Sequence, residues 1–184
     1  IHIMNSSYNN NIDYSDLLKC ITFIKQPTKI VEFGLLEGFS LQTFLDHSSN
    51  DCMIEGYDIF DDFIGNKANY DHITNLFKDD QNVSIYKRDF YTSYEQFKDN
   101  SIDILHIDIA NTGAVYQFVF DHYIQKITQN GIIILEGGSE KRDHYEWMIT
   151  YNKPKIKPVI EKYREHYNII TIGKFPSITL VQHK

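Results

Sequence analysis

The sequence predicts an α/β fold, a three-layer sandwich in which helices flank a seven-stranded, mostly parallel sheet that ends in a C-terminal antiparallel strand pair. Three observations carry this. Short β-branched runs alternate with longer stretches of helical period, the signal of βαβ units. No internal repeat and no linker rich in Gly, Pro or Ser divides the 184 residues, a length that suits one domain with a sizeable core. The last two apolar runs are separated only by Gly173–Pro176, too short for a parallel crossover, so they form an antiparallel pair.

Each element follows in order. Segment 13–25 reads as a helix, with Asp13 as its cap and Tyr14, Leu17, Leu18, Ile21 and Ile24 on one face. Lys29 to Phe33 is a strand ending at Gly34, and a helix from about Phe39 turns Leu41, Phe44, Leu45 and Ser48 inward. Residues 52–58 make the second strand, 70–78 a short helix built on Ile73, Leu76 and Phe77, and Val83 to Tyr86 the third strand. Ile102 to Asp108 is nearly continuous in apolar residues, as a central parallel strand is.

A helix over 112–128 carries Val115, Val119, Tyr123 and Ile127 at four-residue spacing. Asn130-Gly131 stops it, and Ile132 to Leu135 is the fifth strand. A polar stretch from Gly137 to Asp143 leads to a helical piece around Trp147, which Lys153-Pro154 breaks. Ile156, Val159, Ile160, Tyr163 and Tyr167 form another amphipathic helix before the terminal strands, Ile169 to Ile172 and Ile178 to Val181. The single domain, 1–184, thus divides into an N-terminal helical segment (1–27), a ligand-binding core (28–138) and a segment of helices and final strands (139–184).

The net charge of −7 argues against nucleic acid or an anionic membrane as the main partner, since both need a positive field. No apolar run approaches the ~18 residues of a membrane span. Ile1 to Ser7 lacks the apolar stretch of a signal peptide, and Met4 is the expected natural start, so a cytoplasmic protein is expected. Cys20 and Cys52 sit in apolar stretches without metal-type spacing and read as reduced core thiols.

The sharpest chemical feature is the run Glu32-Phe33-Gly34-Leu35-Leu36-Glu37-Gly38-Phe39-Ser40, between the first strand and its helix. Its glycines let the backbone turn tightly and approach a ligand, and the helix beyond offers free N–H groups and a positive dipole. The alternative is an ordinary βα turn. The run is not the G-x-G-x-x-G of dinucleotide enzymes, which disfavours a nicotinamide-dependent dehydrogenase. Asp58 ends the second strand, where an acid can accept both ribose hydroxyls; the alternative is an Asp that caps its own loop. Asp89 follows the third strand and, on its own, suits the N-cap of the segment at 91–97. His106 reads as a satisfied core residue. His144 either faces a substrate as a general base or lies on a solvated helix face.

An acid two residues before the first glycine, followed by G-x-x-x-G, resembles motif I of the class I methyltransferases that use S-adenosylmethionine (SAM) and have a Rossmann-like fold. The resemblance implies that Glu32, Gly34, Gly38, Ser40 and Asp58 hold SAM, that Asp89 takes the adenine amine and that the Phe90 ring lies against the base. The segment Ile102-Asp103-Ile104-Leu105-His106-Ile107-Asp108-Ile109-Ala110-Asn111, with Ile134-Leu135-Glu136-Gly137-Gly138, is similar in layout to the small bacterial sugar and antibiotic O-methyltransferases of the macrocin O-methyltransferase and cephalosporin hydroxylase-like group. The likeness runs over residues 28–138.

In that group the acids after the fourth and fifth strands hold a divalent ion that orients and acidifies a substrate hydroxyl. Asp108, which is also the expected catalytic acid, and Glu136 match two such positions and imply Mg²⁺. The chain departs from the pattern elsewhere: Asn111 replaces the usual His, Gly137 a second acid or Asn, and Ile109-Ala110 the pair Gly-Asp. The resemblance implies O-methylation of a small molecule such as a sugar or hydroxylated metabolite. Its departures motivate the alternative of a non-catalytic SAM-fold protein that binds a ligand or partner. No N/D-P-P-Y/F motif for base amines is present, and the lack of a long lid insertion leads to a homodimer in which a second subunit helps close the site.

Overall fold

The computed structural model describes residues 13–184, so the reading of Ile1 to Ser7 lies outside the described residues. Asp13 caps α1 (Tyr14–Lys25), its carboxylate accepting from the Ser15 N–H at 2.9 Å. The buried stripe of α1 is Leu18, Ile21 and Thr22. Ile24, expected on that face, is 74% exposed, because it falls one position short of the turn that would return it to the stripe. β1 (Lys29–Phe33), α2 (Phe39–His47) and β2 (Met53–Asp58) follow as expected. Leu41 and Phe44 anchor α2 with no exposure at all, each burial contributing about 1.5–3 kcal/mol. In α3 (Tyr70–Leu76), Ile73 and the following Phe77 are buried, whereas Leu76 faces out.

β3 (Val83–Lys87), the short α4 (Phe90–Ser93) and β4 (Ile102–Ile107) lead to the first departure. Val115, Val119, Tyr123 and Ile127 are all buried, as their spacing predicts, but no single helix joins them. α5 spans only Gly113–Phe118, widens into a π-helical turn over Val119–Tyr123 and tightens into a 3₁₀ turn over Ile124–Lys126. β5 (Ile127–Glu136) then runs straight through Asn130-Gly131. Ile102 pairs with Ile127 and Ile104 already with Ile132, so the residues between 127 and 132 bulge out of the ladder. Gly131 is needed there for space, since a Cβ would lie 2.6 Å from Ile127 Cγ2.

Beyond β5 come α6 (Glu140–Asp143), α7 (Glu146–Thr150), α8 (Lys157–Tyr163), β6 (Tyr167–Gly173) and β7 (Ser177–His183). Tyr167 opens β6 and does not belong to the preceding helix.

The seven strands lie in the order β3-β2-β1-β4-β5-β7-β6. β1 to β5 are parallel, and β7 runs antiparallel to both β5 and β6. Alternation along the central strands divides the core. Ile30, Ile104, Ile132 and Ile134 pack under α1, α2 and α3, while Val31, Phe33, Leu105, Ile107, Ile133 and Leu135 pack under α5 and α8. The chain winds outward from β1 to β3 and then crosses back to β4. That reversal leaves a crevice at the carboxyl ends of β1 and β4, where ligands bind in open α/β sheets.

Cys52 is buried, and burial pushes its thiol up; Cys20 is exposed, which corrects its reading as a core thiol. Among the described residues no helix is long and apolar enough to cross a membrane.

Candidate functional site

A cleft of about 820 Å³ opens at that crevice. Gly34, Ser40, Asp58, Asp89, Phe90, Asp108 and Glu136 line it; Glu32, Gly38 and His144 do not. Gly34 makes the crevice possible. Its φ of +90° is one that side-chain-bearing residues rarely adopt, and a Cβ there would stand 2.1 Å from the Asp108 carbonyl oxygen. The β1 loop can therefore lie flat on the end of β4, where the Asp108 N–H donates to the Phe33 carbonyl at 2.9 Å. Gly38, also at positive φ, does a different job: it starts α2 and packs against Ile73, Leu76 and Phe77.

Asp58 is nearly buried and ties two loops together. Its carboxylate accepts from Leu35 N at 2.9 Å, Phe60 N at 2.7 Å and Asn66 Nδ2 at 2.6 Å. A carboxylate has about four acceptor positions, so one remains toward the cleft. Asp89 caps α4, accepting from Tyr91 N at 3.1 Å, and its side chain is exposed at the cleft wall. Phe90 is 4% exposed and stacks on Tyr123, with ring centroids 5.0 Å apart, so its ring is first a core ring and only its margin reaches the cleft.

Glu32 and His106 are register partners on β1 and β4, and both point to the α1/α2 side of the sheet. Glu32 is fully buried; its Oε1 receives the Ser40 hydroxyl and lies 2.8 Å from His106 Nδ1. Its Oε2 has no hydrogen-bond partner among the described residues. Burial alone would lower the His106 pKa, but the hydrogen bond and charge of Glu32, with Asp108 further off, outweigh it and leave the imidazole above its ordinary value. His106 lines the cleft, and with Nδ1 bound to Glu32 its Nε2 is the ring nitrogen that a cleft ligand can meet. His106 is the satisfied core residue that its place in the strand predicts, 4% exposed and bonded to Glu32; that it also lines the cleft goes beyond that reading. The sequence shows a Glu and a His inside the apolar runs of β1 and β4, but not that the two strands adjoin.

His144 stands elsewhere. Its Nδ1 meets the Glu140 carbonyl at 2.8 Å, in a separate shallow depression with Ser139, Lys141 and Lys174. The expectation that it faces a substrate in this cleft is corrected by that position, which follows from the single turn of α6 carrying it outward.

Glu136, the last residue of β5, is held by Arg142, whose Nε lies 3.1 and 3.3 Å from the two carboxylate oxygens. Burial nevertheless pushes its carboxyl above the usual carboxylate range, with the Asp108 charge adding to burial and Arg142 opposing it. Arg142 was absent from the sequence reading, because nothing in the spacing of the loop at 137–139 signals that it folds back onto the strand.

Comparison with known proteins settles the family. The family described as Methyltransferase domain matches residues 31–136, more than half of the chain. The chain belongs to that family. Among solved structures, a methyltransferase from Geobacter sulfurreducens is 18% identical, over 94% of this chain and 80% of that one, with a TM-score of 0.66. The O-methyltransferase TomG from Streptomyces achromogenes, involved in tomaymycin synthesis and solved with SAM, is 12% identical over 95% and 82%, with a TM-score of 0.67. An O-methyltransferase from Bacillus cereus, solved with S-adenosylhomocysteine (SAH), is 14% identical over 95% and 84%, with a TM-score of 0.62. At these identities the likeness shows the fold. A search of the curated proteins found no match.

The Mg²⁺ expected in this methyltransferase domain does not fit the residues present. Among the described residues no three His, Cys, Asp or Glu side chains gather as metal ligands. Both oxygens of Glu136 face a guanidinium, and Asn111 turns its amide protons onto the carbonyls of Ile107 and Glu136, at 2.8 and 2.9 Å. The other end of the cleft is different in kind: an apolar cleft with acids at Asp58 and Asp89 and a glycine-shaped loop suits a nucleoside with a charged tail.

Proposed function

We propose that this chain is a SAM-dependent methyltransferase that methylates an oxygen of a small molecule such as a sugar or another hydroxylated metabolite. The observation that carries the reading is the cleft at the β1/β4 reversal, floored by the Gly34 turn and walled by Asp58 and Asp89. Family membership and the SAM- and SAH-bound relatives of the same fold support it. The layout shared with the macrocin O-methyltransferase and cephalosporin hydroxylase-like group supports the choice of oxygen as acceptor.

SAM, when bound, supplies a methyl group already activated on a sulfonium, so the protein needs chiefly to position and to move a proton. Asp58 would accept from the ribose hydroxyls and Asp89 from the adenine amine, and the Gly34–Ser40 loop would hold the remainder. Asp108 stands at the acceptor end and orients the hydroxyl. His106, aligned by Glu32 through Nδ1, takes the hydroxyl proton at Nε2.

The test is thermal unfolding with SAM, SAH, NAD or no ligand. At about 100 times its dissociation constant a ligand adds about 2.7 kcal/mol. For a domain of this size that is a rise of roughly 5–10 °C. SAM and SAH are expected to give it and NAD none. No shift with either adenosyl ligand at millimolar concentration would sink the reading in favour of a protein that has the fold without its cofactor.

A further inference from the structure

The Asp108–Glu136 end of the cleft already has a cation, and it belongs to the chain. Arg142 enters from α6, where its N–H donates to the Ser139 hydroxyl at 3.1 Å. Its guanidinium forks onto Glu136, Nε to Oε1 at 3.1 Å and Nη2 to Oε2 at 3.3 Å, and Nη2 also donates to the Asn111 carbonyl at 3.1 Å. The Trp147 ring lies 5.3 Å from the guanidinium carbon. The Arg142 side chain is only 9% exposed. An arginine held by a carboxylate, a carbonyl and an aromatic face is a fixed charge and not a swinging one.

The Asp143 carboxylate and the Asn111 amide protons are committed as well. Asp143 accepts from Ile156 N at 2.7 Å and Lys157 N at 2.9 Å, so it does not turn toward Glu136 as a further ligand. Asn111 straps the ends of β4 and β5 together through its amide protons. A hard dication needs several oxygens free to converge on it and repels a fixed guanidinium beside them. Among the described residues that line this end of the cleft, Asp108 has the carboxylate free of such commitments; Asn111 Oδ1 also has no partner, but it is buried and does not line the cleft.

We propose that Arg142 is a positioning residue that supplies the permanent positive charge at this end of the cleft, holds the Glu136 carboxylate in place and keeps divalent ions out. For the methyl-transfer reading on which it builds, the consequence is that transfer proceeds without a metal.

Manganese titration followed by electron paramagnetic resonance tests this, because only the free aqua ion gives the sharp signal. The wild-type chain, with or without SAH, is expected to take up no Mn²⁺ into the millimolar range. Arg142→Gln frees Glu136, and its Mn²⁺ affinity is expected to rise about tenfold or more; Asp108→Asn added to it should abolish the gain. Stoichiometric Mn²⁺ uptake by the wild type that Glu136→Gln removes would overturn the proposal. So would a folded Arg142→Gln chain that takes up no more Mn²⁺ than the wild type. Should that variant not fold, the wild-type titration decides alone. Failure of SAH to raise the melting temperature would count against the methyltransferase reading, and the manganese result would still judge Arg142 separately.

Discussion

Glu32 and His106 face each other across neighbouring strands, so each is best tested through the other. The carboxylate holds the imidazole above its ordinary pKa. The pair therefore contributes its full stability below about pH 6.5, the unperturbed value, and loses it as pH rises through the raised one. Breaking a buried pair costs about 3–5 kcal/mol, so Glu32→Gln should be markedly less stable than the wild type at pH 6 and approach it at high pH. Urea unfolding at several pH values reads this; a gap that stays constant from pH 6 to 9 would remove the ion pair. His106→Asn should keep the SAH melting shift and lose about a hundredfold or more in methyl transfer. At this scale the sequence showed which residue types stand at the strand ends, because Gly34, Asp58 and Asp108 are tied to β-strand termini by local pattern. It did not show which strands adjoin, so the Glu32–His106 contact, 74 positions apart, was invisible.

β5 carries the clearest lesson among the elements. Val115 to Ile127 keep a helical spacing to the end, and Asn130-Gly131 looks like a stop. The backbone instead changes period twice before Ile127, and the glycine serves a bulge inside a strand. Local pattern does not separate the two cases, since a helix end and a bulge both favour glycine. The bulge makes a prediction. Gly131→Ala places a methyl 2.6 Å from Ile127 Cγ2 and 3.0 Å from the Asp103 carbonyl oxygen. Overpacking of this kind should cost about 1–3 kcal/mol. Denaturant unfolding should show that loss while the SAH-induced shift is unchanged, because Gly131 lies five residues, or roughly 17 Å of strand, from the Glu136 end. An unchanged midpoint would mean that the ladder closes without difficulty around a side chain.

For the molecule as a whole, the mouth of the cleft is unusually apolar. Phe39 is 80% exposed, Phe63 60% and Ile64 fully so, with Leu36 beside them. We propose that a second copy of the chain covers this rim, since among the described residues no long insertion does so. A sizing column should then report about twice the 21.7 kDa of one chain, and Phe39→Asp should return it to a monomer that still unfolds cooperatively. A wild-type monomer at high micromolar concentration would end that idea. The number of strands and the terminal antiparallel pair were legible, because a short link permits only one geometry. The place of β7 between β5 and β6 was not, since neighbour order is a long-range property. That placement has a consequence for how the chain is made. On the ribosome β6 emerges before β7, yet among the described residues its only sheet partner is β7, and β5 keeps an open edge until the same strand arrives. Two unpaired edges therefore persist until β7 emerges, an interval in which a nascent chain is prone to stick to its neighbours, and residues 177–183 end that exposure in one step.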